Sequence, residues 1–96
     1  MTEDAVRIDK WLFFARFCKS RSLAARMCED GLVLVDGNKA RRAHHAVRVG
    51  ATIAIELGRS IRTVRVTALG ERRGPAPEAR GLYEDLGTAP RASDWD

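Results

Sequence analysis

The sequence predicts an α+β fold: two short N-terminal helices packed on a small, mostly antiparallel sheet. Three observations predict it. Apolar residues recur at helical spacing in two stretches before residue 29, and a hydrophobic run, Leu32-Val33-Leu34-Val35, ends at Asp36-Gly37. Period-two alternation then follows over residues 53–57 and 64–68.

The first helix is expected over residues 9–17, where Ile8, Trp11, Leu12 and Ala15 share an inward face. Phe13 and Phe17 fall on the other side, as in a helix sandwiched between layers. Core packing is their expected role, and stacking on a nucleic-acid base is the alternative. Ser20 is placed to N-cap a second helix, its hydroxyl accepting an orphan backbone N–H. Leu23, Ala24, Met27 and Cys28 form that helix's apolar stripe, and Gly31 suits the left-handed position beyond its end. Asp36-Gly37 favours a type I′ hairpin, because both residues tolerate positive φ. The return strand, residues 38–41, is polar and basic. Residues 42–50 read as a connecting loop anchored by Val47 and Val49. Ile53, Ile55 and Leu57, then Val64, Val66 and Ala68, mark two half-buried strands.

The cluster GERRGPAP, residues 70–77, is expected to close the compact body. Residues 1–70 then form the folded domain with its supporting strands, and 71–96 a partly mobile C-terminal tail. A weak helical turn over 78–86 could dock Leu82, Tyr83 and Leu86, leaving the last ten residues mobile.

Composition narrows the function classes. The chain has 96 residues, 45% hydrophobic and 31% charged, with formal net charge +4. That suits one small soluble domain. No apolar run approaches the ~20 residues of a membrane span, and the start, MTEDAVR, is acidic where a signal peptide is basic. A cytoplasmic chain without membrane association is expected. Cys18 and Cys28 are too few for a disulfide scaffold and suit small buried hydrophobes. With His44 and His45 they lack any C-x-x-C or H-x-x-x-H spacing, so no metal or other cofactor is expected. No nucleophile triad, phosphate-cradling glycine loop or evident acid pair points to an enzyme.

Charge is distributed unevenly. Between residues 7 and 26 six Lys or Arg face one acid, Asp9, for a net +5. Residues 36–48 carry +3, 59–73 carry +4 and 74–96 carry −3. A compact unit this basic is expected to meet a polyanion, most commonly a nucleic acid.

The strings Arg7-Ile8-Asp9-Lys10-Trp11-Leu12, Lys19-Ser20-Arg21-Ser22-Leu23-Ala24 and Gly31-x-Val33-x-Val35-Asp36-Gly37 resemble the RNA-binding domain of ribosomal protein S-four type, the alpha-L motif. Val47-x-Val49-Gly50-x-x-Ile53 is similar to its closing segment, so the resemblance covers about residues 7–55. Within that superfamily RIDKWLFFARF and GRSIRTVRVTALGERRGPAPEARGLYED resemble the bacterial ribosome-associated heat-shock protein fifteen family. The resemblance implies an RNA-binding protein of ribosomal RNA on the large ribosomal subunit, acting in rescue or recycling of subunits stalled with peptidyl-transfer RNA. A monomer is expected when free. The acidic end, ASDWD, departs from the long basic segment with which that family usually continues.

The candidate contacts follow from both lines. Arg7 and Lys10 lie at the expected start of helix 1, and Lys19, Arg21 and Ser22 at that of helix 2, with Arg26 one turn along. Helix starts favour phosphate through free N–H groups and the positive dipole end. Lys39, Arg41 and Arg42 extend the surface beyond the hairpin, where His44 and His45 either assist phosphate binding or face water. Arg16 is a further candidate, or a structural partner of Asp9 or Asp30. Two other classes remain: a helix-turn-helix-like DNA binder and a basic protein-interaction adaptor. A poor match of Phe17-Cys18-Lys19 to the usual glycine-containing turn and a hairpin directly after helix 2 speak against the DNA binder.

Overall fold

In the computed structural model, which describes residues 4–90, a short strand β1 (Val6–Arg7) leads directly into helix α1 (Ile8–Phe14). The helix forms because Ile8, Trp11 and Leu12 bring one face fully into the core. It ends earlier than the spacing of Phe13 and Phe17 predicts. Arg16 turns into the left-handed region at φ 66°. The Phe17 N–H then donates to the Leu12 carbonyl at 3.0 Å and the Arg16 N–H to that of Phe13 at 3.1 Å. This is a Schellman C-cap with arginine where glycine is usual, so composition carries no stop signal. Phe17 leaves the helix and packs on Trp11 and Tyr83, with ring centroids 5.9 and 4.8 Å apart.

Helix α2 (Arg21–Glu29) begins as its sequence dictates: the Ser20 hydroxyl accepts the Leu23 N–H at 3.0 Å. Ala24 and Cys28 are buried, and Leu23 and Met27 pack against the core from its margin. The helix ends in the same Schellman pattern, now with Gly31 at φ 76° and the Leu32 N–H returning to the Met27 carbonyl at 3.0 Å.

Strands β2 (Val33–Val35) and β3 (Asn38–Lys39) form the expected hairpin, with Asp36 at φ 52° and Gly37 at φ 86°. Strand β4 (Ala46–Val47) pairs antiparallel with β1 in a separate two-stranded sheet. Val47 is fully buried there, whereas Val49 is 60% exposed and anchors nothing, contrary to expectation. Strands β5 (Thr52–Leu57) and β6 (Ser60–Val66) continue the main sheet; Val35 lies opposite Ile53, and Ile53 opposite Val64. One sheet face (Val33, Val35, Ile53, Ile55, Val64, Val66) is thus buried. The Trp11 indole N–H donates to the Ala68 carbonyl at 3.0 Å, fixing α1 to the chain leaving β6.

The largest correction concerns residues 71–90. They are not a loose tail: a short helix α3 (Ala76–Arg80) and a strand β7 (Tyr83–Pro90) complete a five-stranded antiparallel sheet in the order β3-β2-β5-β6-β7. Leu82 is buried and Tyr83 packs on the core, but Leu86 is 42% exposed and does not dock. Tyr-Glu-Asp-Leu-Gly-Thr-Ala-Pro has little strand propensity of its own. Pairing with β6 and cross-strand ions (Arg62–Asp85 at 3.5 Å, Arg65–Glu84 at 3.9 Å) hold it instead. Of the ten residues expected to be mobile, 87–90 lie in β7 and 91–96 lie outside the described residues.

Replacing Ser20 with Ala should lower the unfolding free energy by about 1 kcal/mol, seen in urea titration as an earlier midpoint at unchanged slope. Both cysteines are free and buried. Burial pushes the Cys18 thiol up to about 11 and the Cys28 thiol up to about 12. At pH 8 the folded chain should therefore resist iodoacetamide while the urea-unfolded chain labels at both positions. Equal labelling rates in the two states would contradict this burial.

Candidate nucleic-acid interface

Asp9 organises the basic face. Its carboxylate belongs to a residue only 3% exposed and accepts four hydrogen bonds. Arg7 donates from Nε at 3.1 Å and Nη2 at 3.0 Å, the Lys10 backbone N–H at 2.8 Å, and Arg21 Nη2 at a looser 3.4 Å. Arg7 belongs to the start of α1 and Arg21 to the start of α2, so one buried acid joins the two helix starts. Both arginine side chains remain about half exposed, at 47% and 45%, and keep donors facing outward. In the sequence Asp9 stands out as the lone acid among six cations, but its spatial role does not.

The two helix starts are not equivalent. At α1 the Ile8 N–H donates to the His45 carbonyl at 2.8 Å, the Asp9 N–H to that of Ala43 at 3.2 Å, and the Lys10 N–H to Asp9 itself. Contrary to expectation, this helix therefore has no free N–H groups of its first three residues to offer phosphate, because the 42–46 loop and Asp9 consume them. At α2 the Ser20 hydroxyl takes only the Leu23 N–H. The N–H groups of Arg21 and Ser22 have no acceptor among the described residues and belong to an exposed first turn. Ser20, Ser22 and Arg26 line a shallow depression there, of about 210 Å³. Lys19 is exposed immediately before it.

The hairpin side supplies a second group. Gly31 has no side chain, and the Lys39 stem (Cδ) and the Arg41 guanidinium (Nη1) lie over it, 3.5 and 3.3 Å from where a Cβ would stand. They run past the C-terminal end of α2, where helix carbonyls favour cations. Lys39, Arg41 and Arg42 line an open depression of about 400 Å³ with His44 and His45. The bonds from Ile8 and Asp9 to the His45 and Ala43 carbonyls, with β1–β4 pairing, fasten this loop to the start of α1.

Arg16 is not part of this assembly. It lies beyond the opposite end of α1 and donates from Nε to the Gly74 carbonyl at 2.7 Å, pairing with neither Asp9 nor Asp30. The basic stretch 59–73 is largely answered from within. Arg62 pairs with Asp85, Arg65 with Glu84, and Arg72 with Glu78 at 2.9 Å, while Arg73 sits 5.0 Å from the Phe13 ring centroid. The Arg72 bond in turn holds the Glu78 carboxyl below its usual range. Lys10, Lys19, Arg26, Lys39, Arg41 and Arg42, by contrast, are in no ion pair among the described residues. Those residues contain no group of three or more His, Cys, Asp or Glu able to hold a metal, and no helix long and apolar enough to cross a membrane.

Comparison with known proteins places this geometry. The S4 domain family matches residues 6–53. Heat shock protein 15 of Escherichia coli K12 is 45% identical over 80 residues, which cover 83% of this chain and 59% of that protein; the chain thus spans about three fifths of its length. A protein of Halalkalibacterium halodurans named RQC P-site tRNA stabilizing factor is 38% identical over 79 residues, covering 82% of this chain and 88% of that one. The solved structure of Vibrio cholerae heat shock protein 15 superposes with a TM-score of 0.81 at 40% identity, over 86% of this chain and 83% of that one. That structure is described as trimeric, which gives no support to a monomeric free chain.

Asp9→Asn should cost about 1–3 kcal/mol of folding stability, since two guanidinium groups lose the charge that fixes them while remaining half solvated. Arg7→Ala or Arg21→Ala alone should each cost less. Thermal and urea unfolding of the three variants orders them.

Proposed function

We propose a function from one premise: this chain belongs to the S4 domain family and, within it, to the heat shock protein 15 family. It is an RNA-binding protein of the cytoplasm, a binder rather than an enzyme. Its partner is ribosomal RNA on the large ribosomal subunit, in the rescue or recycling of subunits stalled with peptidyl-transfer RNA. The name of the Halalkalibacterium relative, which refers to P-site transfer RNA, supports the setting.

One observation carries the reading. The start of α2 presents two backbone N–H groups without an acceptor among the described residues, from Arg21 and Ser22, among Lys19, Arg21 and Arg26. Phosphate is the ligand such a site fits: N–H donors and a positive helix end converge with side-chain cations. Arg7 and Lys10 at the start of α1, then Lys39, Arg41 and Arg42 beyond the hairpin, extend the track. Cations spread over two helix starts and a loop grip backbone geometry rather than base edges, as recognition of structured RNA by shape requires. The hairpin β2–β3, following α2 directly, occupies the place where a helix-turn-helix protein continues differently, and nothing in the site favours DNA.

Charge reversal should be aimed at Lys19 and Arg26, because Arg21→Glu would set a second carboxylate against buried Asp9. The double variant Lys19→Glu, Arg26→Glu should keep wild-type stability and no longer co-sediment with large ribosomal subunits. The slope of log affinity against log salt should also fall by about one for each phosphate no longer bound. Undiminished co-sedimentation would exclude this surface, and equal affinity for structured RNA and duplex DNA would exclude RNA selectivity.

A further inference from the structure

A third depression lies beyond the far end of α1, away from the helix starts. It measures about 160 Å³ and is bordered by Arg16, Phe17, Arg62, Arg80 and Tyr83, with no acidic residue in its lining. Its composition differs from that of the helix-start face, for it combines aromatic rings with guanidinium groups. Arg62 is held in place from several sides. Its guanidinium carbon lies 5.1 Å from the Phe17 ring centroid and 5.5 Å from that of Tyr83, while Nη2 donates to the Tyr83 hydroxyl at 3.4 Å and to Asp85 at 3.5 Å. Phe17 and Tyr83 are themselves backed by Trp11. A planar cation laid on aromatic rings offers its outer face as a stacking platform, a common way for proteins to seat an unpaired base.

Two further arginines stand ready for charge. Arg16 commits Nε to the Gly74 carbonyl at 2.7 Å, and its terminal nitrogens have no partner among the described residues. Arg80, in the last turn of α3, is exposed and likewise unpartnered among them. The left-handed backbone of Arg16 is the feature that brings it here, since it ends α1 and swings Phe17 off the helix toward Tyr83. An arginine in this conformation is strained where glycine would not be.

We propose that this depression binds one unpaired nucleotide of the RNA, its base stacked on the Arg62–Phe17–Tyr83 platform and its phosphate held by Arg16 and Arg80. The inference rests on the RNA-binding reading above and adds a single-stranded subsite to it. Chain connectivity supports a shared strand: Phe17 lies four residues before Arg21, so this ring of the platform and the start of α2 are at most about 14 Å apart along the backbone.

The test compares three RNAs against the full chain by fluorescence anisotropy: a blunt duplex, the duplex with a short oligouridine extension, and the duplex with an abasic extension of equal length. The base-bearing extension should bind about tenfold more tightly than the abasic one, the usual scale for stacking one or two bases. Arg62→Lys keeps the charge but removes the planar platform, and should erase that difference. Arg80→Glu should weaken both extended RNAs and leave the blunt duplex unchanged. Equal affinity of wild type for the two extensions, or a difference that survives Arg62→Lys, overturns the subsite. Failure of the Lys19→Glu, Arg26→Glu variant to weaken the blunt duplex overturns the underlying reading instead, so the two outcomes are distinct.

Discussion

The carboxylate of Asp9 is the constraint on which the molecule's basic face depends. A cluster of six cations within twenty residues repels itself, and left to solvent its side chains would sample many arrangements. One acid removed from water changes that. It fixes Arg7 through a two-point fork, draws Arg21 in from the next helix and caps its own helix turn through the Lys10 N–H. The net positive charge survives because one carboxylate engages two guanidinium groups. Buried ion pairs often add little net stability but can specify one geometry, and geometry is what the proposed phosphate track requires. The same region secures the 42–46 loop, so α1, α2 and the loop meet at a single point.

Folding also sorts the charges. Along the chain, residues 59–73 are richer in arginine than residues 7–26. In space the two stretches differ in kind. The later arginines face Asp85, Glu84 and Glu78 or stack on Phe13, and most of their field is answered at short range. Those acids come from the segment that looks in sequence like a separate acidic end. The contrast between a basic body and an acidic tail is therefore largely a contrast between neighbouring strands of one sheet. Among the described residues, what keeps a net positive charge is the face built on the helix starts and the hairpin, together with Arg16 and Arg80 near Tyr83.

Wherever the cause of a feature is local, the amino-acid sequence alone reveals it. Ser20 capping α2, Gly31 ending it, Asp36-Gly37 turning the hairpin and the alternation of Ile53, Ile55, Val64 and Val66 each depend on residues within a few positions. The inward face of Ile8, Trp11, Leu12 and Ala15 is equally plain. Three features are hidden because their causes lie far along the chain. The end of α1 at Arg16 breaks the usual preference for glycine and is tied to Gly74, 58 residues away. The strand character of residues 83–90 comes from β6 rather than from their own composition. The unequal helix starts follow from carbonyls of residues 43 and 45, which no helix periodicity reveals.

Strand β7 carries one more consequence. It is the long outer strand of the five-stranded sheet, since β3 at the opposite edge has only two residues. An unprotected outer strand is a template for self-association and fibril growth. Here the register slips between Thr63 and Val64, opposite Gly87, the Asp85 carboxylate takes the Gly87 N–H at 2.9 Å, and Pro90 has no N–H to offer. The same poor strand-forming composition that hides β7 in the sequence thus serves as a colloidal safeguard, letting the sheet gain a fifth strand while discouraging a sixth from another molecule.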